Sequence, residues 1–269
     1  MTTTPFHGDP PPPALAAYWQ AIDDGRPRDA AACFSRDALY AVPPVGAPET
    51  ASRVVTSGSA GIADRLVERE STRGKHSIVV CVAEGETALV EGVVCDASNS
   101  PISTYVCSVR TADDGLIDRY LAFGCAGARD APPTDLDPAV EPADALAVVH
   151  DYFADLDNGR FEAAAARFSA DVLYSHPPYQ HTGIDDPGRI EFRGRPALQA
   201  AFDRRGRATF DHVILTSVQR GPHCILEGAV RGLPDGGSGS FISTLTLGSD
   251  GTIRRYVSFY CEPAIPAHC

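Results

Sequence analysis

Apolar positions along the chain change period in a fixed order, and the order then repeats. Leu15, Tyr18, Trp19 and Ile22 recur at the spacing i, i+3, i+4, i+7, and so do Val149, Tyr152, Phe153 and Leu156. Each set predicts a helix with one apolar face. Gly25 and Gly159 predict where these helices stop, because glycine takes the left-handed conformation that closes a helix. Alanine-rich stretches predict a short second helix over residues 28–34 and 161–168. A strand is expected over 38–42 and 172–176, each ended by a proline pair, Pro43-Pro44 or Pro177-Pro178. After a loop, a third helix is expected over 60–70 and 196–205. Four β-rich runs close each half. In the second half they cover 210–218, 224–230, 240–247 and 253–261, divided by Gly, Pro and Asp turn signals. Helices first and a meandering sheet after is an α+β pattern.

The two halves match residue by residue. Residues 18–44 set against 152–178 are identical at 14 of 27 positions, among them Phe34/Phe168, Asp37/Asp171 and Tyr40/Tyr174. After a two-residue insertion the register resumes through Gly58/Gly194, Arg69/Arg205, His76/His212 and Glu91/Glu227. It continues through Arg119-Tyr120/Arg255-Tyr256, Phe123/Phe259 and Cys125/Cys261. One register held through so many landmarks marks a tandem repeat. The expected layout is a disordered tail over 1–13, a domain over 14–126, a linker over 127–142, a second domain over 143–263 and a tail over 264–269.

Length changes little in this picture, since 269 residues suit two domains that each bury a core. The charge excludes more. With 23 basic and 35 acidic side chains the formal net charge is −12, and the basic residues are scattered. Phosphate backbones and anionic lipid surfaces are therefore poor partners, so neither nucleic acid nor membrane is expected. No apolar run approaches the length of a membrane span. The eight cysteines show no Cys-x-x-Cys spacing and lie mostly in apolar runs. They read as buried thiols in a reducing compartment, with the cytoplasm as the default.

Tyr-(aromatic)-x-x-(aliphatic)-x-x-Gly, Ala-x-x-Phe-Ser-x-Asp and the late Asp-Gly-x-Ile-x-Arg-Tyr hairpin resemble the nuclear transport factor 2-like superfamily. Within it the chain is most similar to SnoaL-like polyketide cyclases and ketosteroid isomerase, over nearly all of 14–125 and 143–262. The resemblance implies two tandem cone-like α+β barrels, each with three helices packed in a curved, mostly antiparallel sheet around an apolar cavity. Family members pair through their sheets, which implies an internal pseudo-dimer and a monomeric chain. The fold hosts isomerases, cyclases, hydrolases, dehydratases and binding modules. The family's helix tyrosine falls on Tyr18 and Tyr152, its base position on Val42 and His176, and its third position on Cys107 and Ser243. Neither half carries the family's carboxylates there. The late-strand aspartate of the cyclases likewise has no counterpart among Ser258, Tyr260 and Glu262.

Chemistry therefore concentrates in the second half, where the proline pair sits in His-Pro-Pro-Tyr-Gln-His; the first half has Val-Pro-Pro-Val-Gly-Ala. His176 is the expected acid/base, its reference pKa near 6.5 suiting proton transfer near neutral pH. Tyr152 and Ser243 are the expected stabilisers of an oxyanion. Tyr179, His181, His212, Phe241 and Tyr256 are expected to contact substrate. Features present in both halves read first as structural: Glu91/Glu227 and Arg119/Arg255 as ion pairs or sheet-face contacts. His76/His212 stays open between a hydrogen-bonded structural role and a cavity role. A metal site from His176, His181 and Asp185 or Asp186 lacks motif spacing, and neither metal nor cofactor is expected. The expected activity is cofactor-free isomerisation, cyclisation or dehydration of a small apolar carbonyl compound, polyketide or terpenoid in kind, with the first half a degenerate partner. Non-catalytic ligand binding and a protein-interaction scaffold remain the alternatives.

Overall fold

A computed structural model of the chain describes residues 6–44, 47–68, 74–133, 143–178 and 189–268. The chain divides into two compact units, residues 1–131 and 132–269. The first unit opens with α1 (Pro13–Asp23) and α2 (Pro27–Ala31), preceded by a two-residue strand β1 (His7–Gly8). It continues through β2 (Phe34–Val42), β3 (Val54–Ser57), α3 (Ser59–Glu68), β4 (Lys75–Glu84), β5 (Thr87–Cys95), β6 (Pro101–Thr111) and β7 (Ile117–Ala126). The second unit repeats the order with α4 (Ala145–Asp157), α5 (Phe161–Ala166), β8 (Phe168–His176), β9 (Ile190–Arg193) and α6 (Arg195–Arg205). Its last strands are β10 (Asp211–Arg220), β11 (His223–Arg231), β12 (Ser238–Leu247) and β13 (Ile253–Cys261).

Each unit is an α+β cone. The strand orders β1-β4-β5-β6-β7-β2-β3 and β10-β11-β12-β13-β8-β9 are the same meander, with β1 added in the first unit. Pairing is antiparallel except where β2 lies along β7, β8 along β13 and β1 along β4. Even the irregularities repeat. A register shift falls between Ile78 and Val80 on β4 and between the matching Ile214 and Thr216 on β10. Such bulges increase local twist and bend a sheet.

Gly25 and Gly159 do stop the first helix of each unit, at φ +69° and +73°. Arg26 N–H reaches back to Ala21 O and Gly25 N–H to Ile22 O, while Arg160 and Gly159 bond Asp155 O and Leu156 O in the same way. This double bond pattern satisfies the last carbonyls of the helix. It also makes Asp23 and Asp157 the last helical residues, a placement the site depends on.

Four expectations are corrected. The second helices end at Ala31 and Ala166, and β2 and β8 start at Phe34 and Phe168 instead of 38 and 172. Those phenylalanines pair with Ile117 and Ile253, and four further residues pass in each unit before regular pairing resumes at Leu39 and Leu173. The loop before the third helix contains β3 and β9, which pair with β2 and β8. Within the segment expected as an N-terminal tail, β1 pairs with Val80 and Cys81, and Asp9 accepts from Ala83 N–H. The expected C-terminal tail is docked: Ala264 N–H donates to Ser238 O, and Ile265 is buried. His268 is buried there too, against the Glu227 carboxylate.

Candidate functional site

In the second unit the helices and the concave sheet face enclose an aromatic core. Tyr152 packs edge-on against Phe168 and Tyr256, and Tyr174 stacks between His176 and Tyr256 at 6.1 and 5.2 Å. A cavity of about 50 Å³ remains among these rings. That volume holds roughly three to five waters. Its apolar walls include Phe153, Leu156, Phe210, Val230, Leu233 and Phe241; its polar lining includes His176, Arg205, His212, Ser258 and Tyr260.

The structure places His176, Tyr152, His212, Phe241 and Tyr256 on that lining. Tyr179 and His181 lie outside the described residues, as do Asp185 and Asp186 of the weighed metal set. Ser243 is fully buried and does not line the cavity. It stands behind the wall, 2.9 Å from the Tyr256 hydroxyl and 3.0 Å from the Ser258 hydroxyl. Because Ser243 gives its only proton to Ser258, Tyr256 donates to Ser243 and the Ser258 proton is left for the lining. The chain Tyr256–Ser243–Ser258 thus ends in a donor at the cavity wall. Hydrogen bonds in such a chain polarise one another.

His212 sits at the start of β10, facing the end of α4. Asp157 accepts from the His212 backbone N–H at 3.0 Å and holds His212 Nδ1 at 2.8 Å. Phe153 stacks on the imidazole at 4.5 Å, so the ring has one orientation. With Nδ1–H on the carboxylate, the Nε2 lone pair is the remaining valence, and among the described residues it has no hydrogen-bond partner. An acidic residue in a helix's last turn opposes the helix dipole. The imidazole proton and the strand N–H offset that cost.

His176 is held differently. Its Nδ1–H donates to the Pro177 carbonyl at 2.6 Å, which also puts the lone pair on Nε2. Burial, reinforced by Arg189, Arg205 and His212, drives its pKa down to about 3 against the pull of that carbonyl. His176 is therefore neutral at physiological pH. Tyr260 donates to Glu262 at 2.5 Å, and burial together with that bond pushes its pKa well above the usual phenol range.

The first unit keeps the frame and loses much of the polar lining. Tyr18 and Tyr40 hydroxyls meet at 2.9 Å, as Tyr152 and Tyr174 do at 3.3 Å. Asp23 holds His76 Nδ1 at 2.6 Å. The positions of His176, Ser243, Ser258 and Tyr260 are taken by Val42, Cys107, Ala122 and Gly124. Cys107 is fully buried, and burial pushes its thiol far up, so it stays protonated.

Several residues escaped the sequence reading. Tyr174 was visible only as a repeat landmark, Ser258 and Tyr260 only as a failed aspartate position, and Arg205 only as a match to Arg69. The hydroxyl relay left no trace because it runs between strands. A second repeated pair was also missed: Arg53 lies over Phe123 and donates to Ala122 O, and Arg189 lies over Phe259 and donates to Ser258 O.

A SnoaL-like domain model matches residues 15–120 and again 149–256. No curated protein matches the chain. Among solved structures, one described as a ketosteroid isomerase from Kribbella flavida is 20% identical, with 45% of this chain and 79% of that one covered at a TM-score of 0.34. One described as a polyketide cyclase from Sinorhizobium meliloti is 22% identical, covering 42% and 94% at 0.33. A LEH-like epoxide hydrolase from M. tuberculosis is 19% identical, covering 43% and 81% at 0.33. These likenesses assign no activity. The two family matches span most of the sequence, and the chain belongs to the SnoaL-like family, present here as two tandem domains.

Proposed function

We propose that the second unit is a cofactor-free acid–base enzyme acting on a small carbonyl compound, an isomerase, cyclase or dehydratase in reaction type. The observation that carries this reading is the Asp157–His212 pair, whose imidazole lines a cavity that Ser258 lines as well. His212 Nε2 takes a proton from the carbon next to the carbonyl. The C–H electron pair becomes the C=C bond of an enolate, and the carbonyl π pair moves onto oxygen. Asp157 stabilises the imidazolium that forms, as a carboxylate does behind a catalytic histidine. Ser258, fed by Ser243 and Tyr256, donates to the enolate oxygen, and the Tyr152–Tyr174 pair supports it. Return of the proton to another carbon isomerises; loss of a β-hydroxyl as water dehydrates.

His212 takes the base role that the sequence pointed to in His176. An imidazole whose conjugate acid has a pKa of about 3 is a weak proton acceptor. His176 stays a neutral, polar part of the cavity lining.

Deuterium uptake by small cyclic ketones and 1,3-diketones in D2O, followed by NMR, tests the reading without knowledge of the natural substrate. The protein accelerates uptake over buffer, and His212→Gln lowers that acceleration by about 10²-fold or more. Absence of acceleration with every probe, or full retention in His212→Gln, overturns it. The second reading is ligand binding without chemistry, favoured by the lack of any Asp or Glu on the described lining. It requires binding with no deuterium uptake.

A further inference from the structure

One ring of this cavity has no counterpart in the first unit. On the cavity side of the sheet two aromatic rings lie directly over glycines of a neighbouring strand, Phe241 over Gly228 and Tyr260 over Gly239. A Cβ on either glycine would collide with the ring above it. Phe241 is matched in the first unit by Tyr105 over Gly92, so that arrangement belongs to the cone. Tyr260 and Gly239 are matched by Gly124 and Ser103, so the Tyr260 ring belongs to this cavity. It is also held in place. The Tyr260 hydroxyl donates to Glu262 at 2.5 Å, and just beyond Glu262 the chain is tied to the start of β12. Those ties run from Ala264 N–H to Ser238 O and from Ile265 N–H to Ser240 Oγ.

The register shows what the ring walls off. Gly239 pairs with Val230 and Val230 pairs with His212, so Tyr260 covers the strand position two places from the imidazole. Two strand spacings amount to about 10 Å. Val230 lines the cavity between them, and the whole cavity measures about 50 Å³. That is room for one small ring, far below the roughly 300–1,000 Å³ of sites for drug-sized ligands. We propose that Tyr260 sets the size of the substrate: its ring bounds the cavity two strands from His212, so the site takes a single-ring ketone and turns away fused bicyclic ones. A second fused ring needs the volume that the phenol already fills, and a packed interior yields that volume only at a cost. This inference rests on the proposed acid–base reading of the cavity, and it names the substrate class within it.

Cyclohexanone and 1-decalone share a six-membered cyclic ketone and differ by the fused second ring. Deuterium uptake and calorimetric binding are measured for both on the full chain. The second ring adds apolar surface, which by itself favours binding, so a preference for the smaller ketone reports exclusion. The wild type prefers cyclohexanone by about tenfold or more, in acceleration over buffer or in affinity. Tyr260→Phe keeps the ring without its hydroxyl and retains the preference. Tyr260→Gly lowers it by about tenfold. Should Tyr260→Gly fail to fold, Gly239→Ser combined with Tyr260→Gly restores the residues of the first unit and lowers the preference in the same direction. Equal handling of the two ketones by the wild type overturns the inference, as does a preference unchanged in Tyr260→Gly or in the double variant. Loss of the preference in Tyr260→Phe overturns ring bulk as its cause. Uptake at equal rates from both ketones removes the size limit and leaves the acid–base chemistry standing. A preference in affinity without deuterium uptake removes the chemistry and leaves the size limit. If neither ketone binds or exchanges, the size limit falls together with the ligand-site reading.

Discussion

His176 and Val42 occupy one place in two copies of one frame, and the difference between them has a thermodynamic consequence. In the folded chain burial holds the His176 pKa near 3, while in the unfolded chain it returns to about 6.5. Between those values the unfolded state binds more protons, so acid favours unfolding. The stability is fully present above pH 6.5 and is lost as pH falls toward 3. The stability gap between the wild type and His176→Val should therefore change by at most about 1.4 kcal/mol per pH unit in that window. Urea titrations at pH 7.5 and pH 5 check it, with the variant less acid-sensitive than the wild type. A gap equal at both pH values means that His176 is not held neutral. The contrast of His176 with Val42 was legible in the sequence because the repeat supplies its own reference. Its consequence was not, since pKa depends on desolvation and on Arg189 and Arg205, which lie far along the chain.

At the level of elements, the helix stop and its aspartate were half legible. Glycine at 25 and 159 predicts a left-handed closure, and the closure makes Asp23 and Asp157 the last helical residues. That each carboxylate then holds a histidine from a strand more than 50 residues later required the fold. The short strands β3 and β9 were illegible for a related reason. Four residues carry too little periodicity, and pairing with β2 and β8 defines them. Adjacent strands also show a compensated exchange. On β12, a Cβ at Gly239 would come within 2.3 Å of the Tyr260 ring on β13, so the ring lies directly over the glycine. In the first unit the matching residues are Ser103 and Gly124, with side chain and vacancy interchanged. Gly239→Ser should cost about 1–3 kcal/mol through overpacking. Tyr260→Gly should cost a similar amount or more through the void it leaves. The double variant should be less destabilised than the sum by about 0.5–3 kcal/mol, because each change relieves the other. A double-mutant cycle from urea unfolding measures this, and strict additivity would show that the two positions do not share space.

For the whole molecule, duplication separates what the fold needs from what the site needs. Both units retain the Schellman closure, the Asp–His pair, the tyrosine pair on the first helix and first long strand, and the arginine lying over a buried phenylalanine. Those features persist whether or not the hydroxyl relay and His176 are present, so they serve the cone itself. In the second unit the same Asp–His pair gains neighbours that give it chemical use: Ser258 at the wall and His176 across the ring stack. In the first unit the imidazole of His76 instead lies beside Trp19 at 6.0 Å and Tyr105 at 5.4 Å, larger rings than the matching Phe153 or more polar than Phe241. An Asp–His pair alone therefore does not make a site. Ligand binding should saturate at one molecule per chain, although the sequence contains the domain twice. Calorimetry gives the stoichiometry, and amide exchange on the bound chain gives the location, with protection gained at β12, β13 and the end of α4 and unchanged at β6, β7 and the end of α1. Two molecules per chain, or equal protection in both units, would mean that Val42, Cys107, Ala122 and Gly124 still allow binding. The polar lining would then tune a shared function, and the division of labour between the two copies would fail.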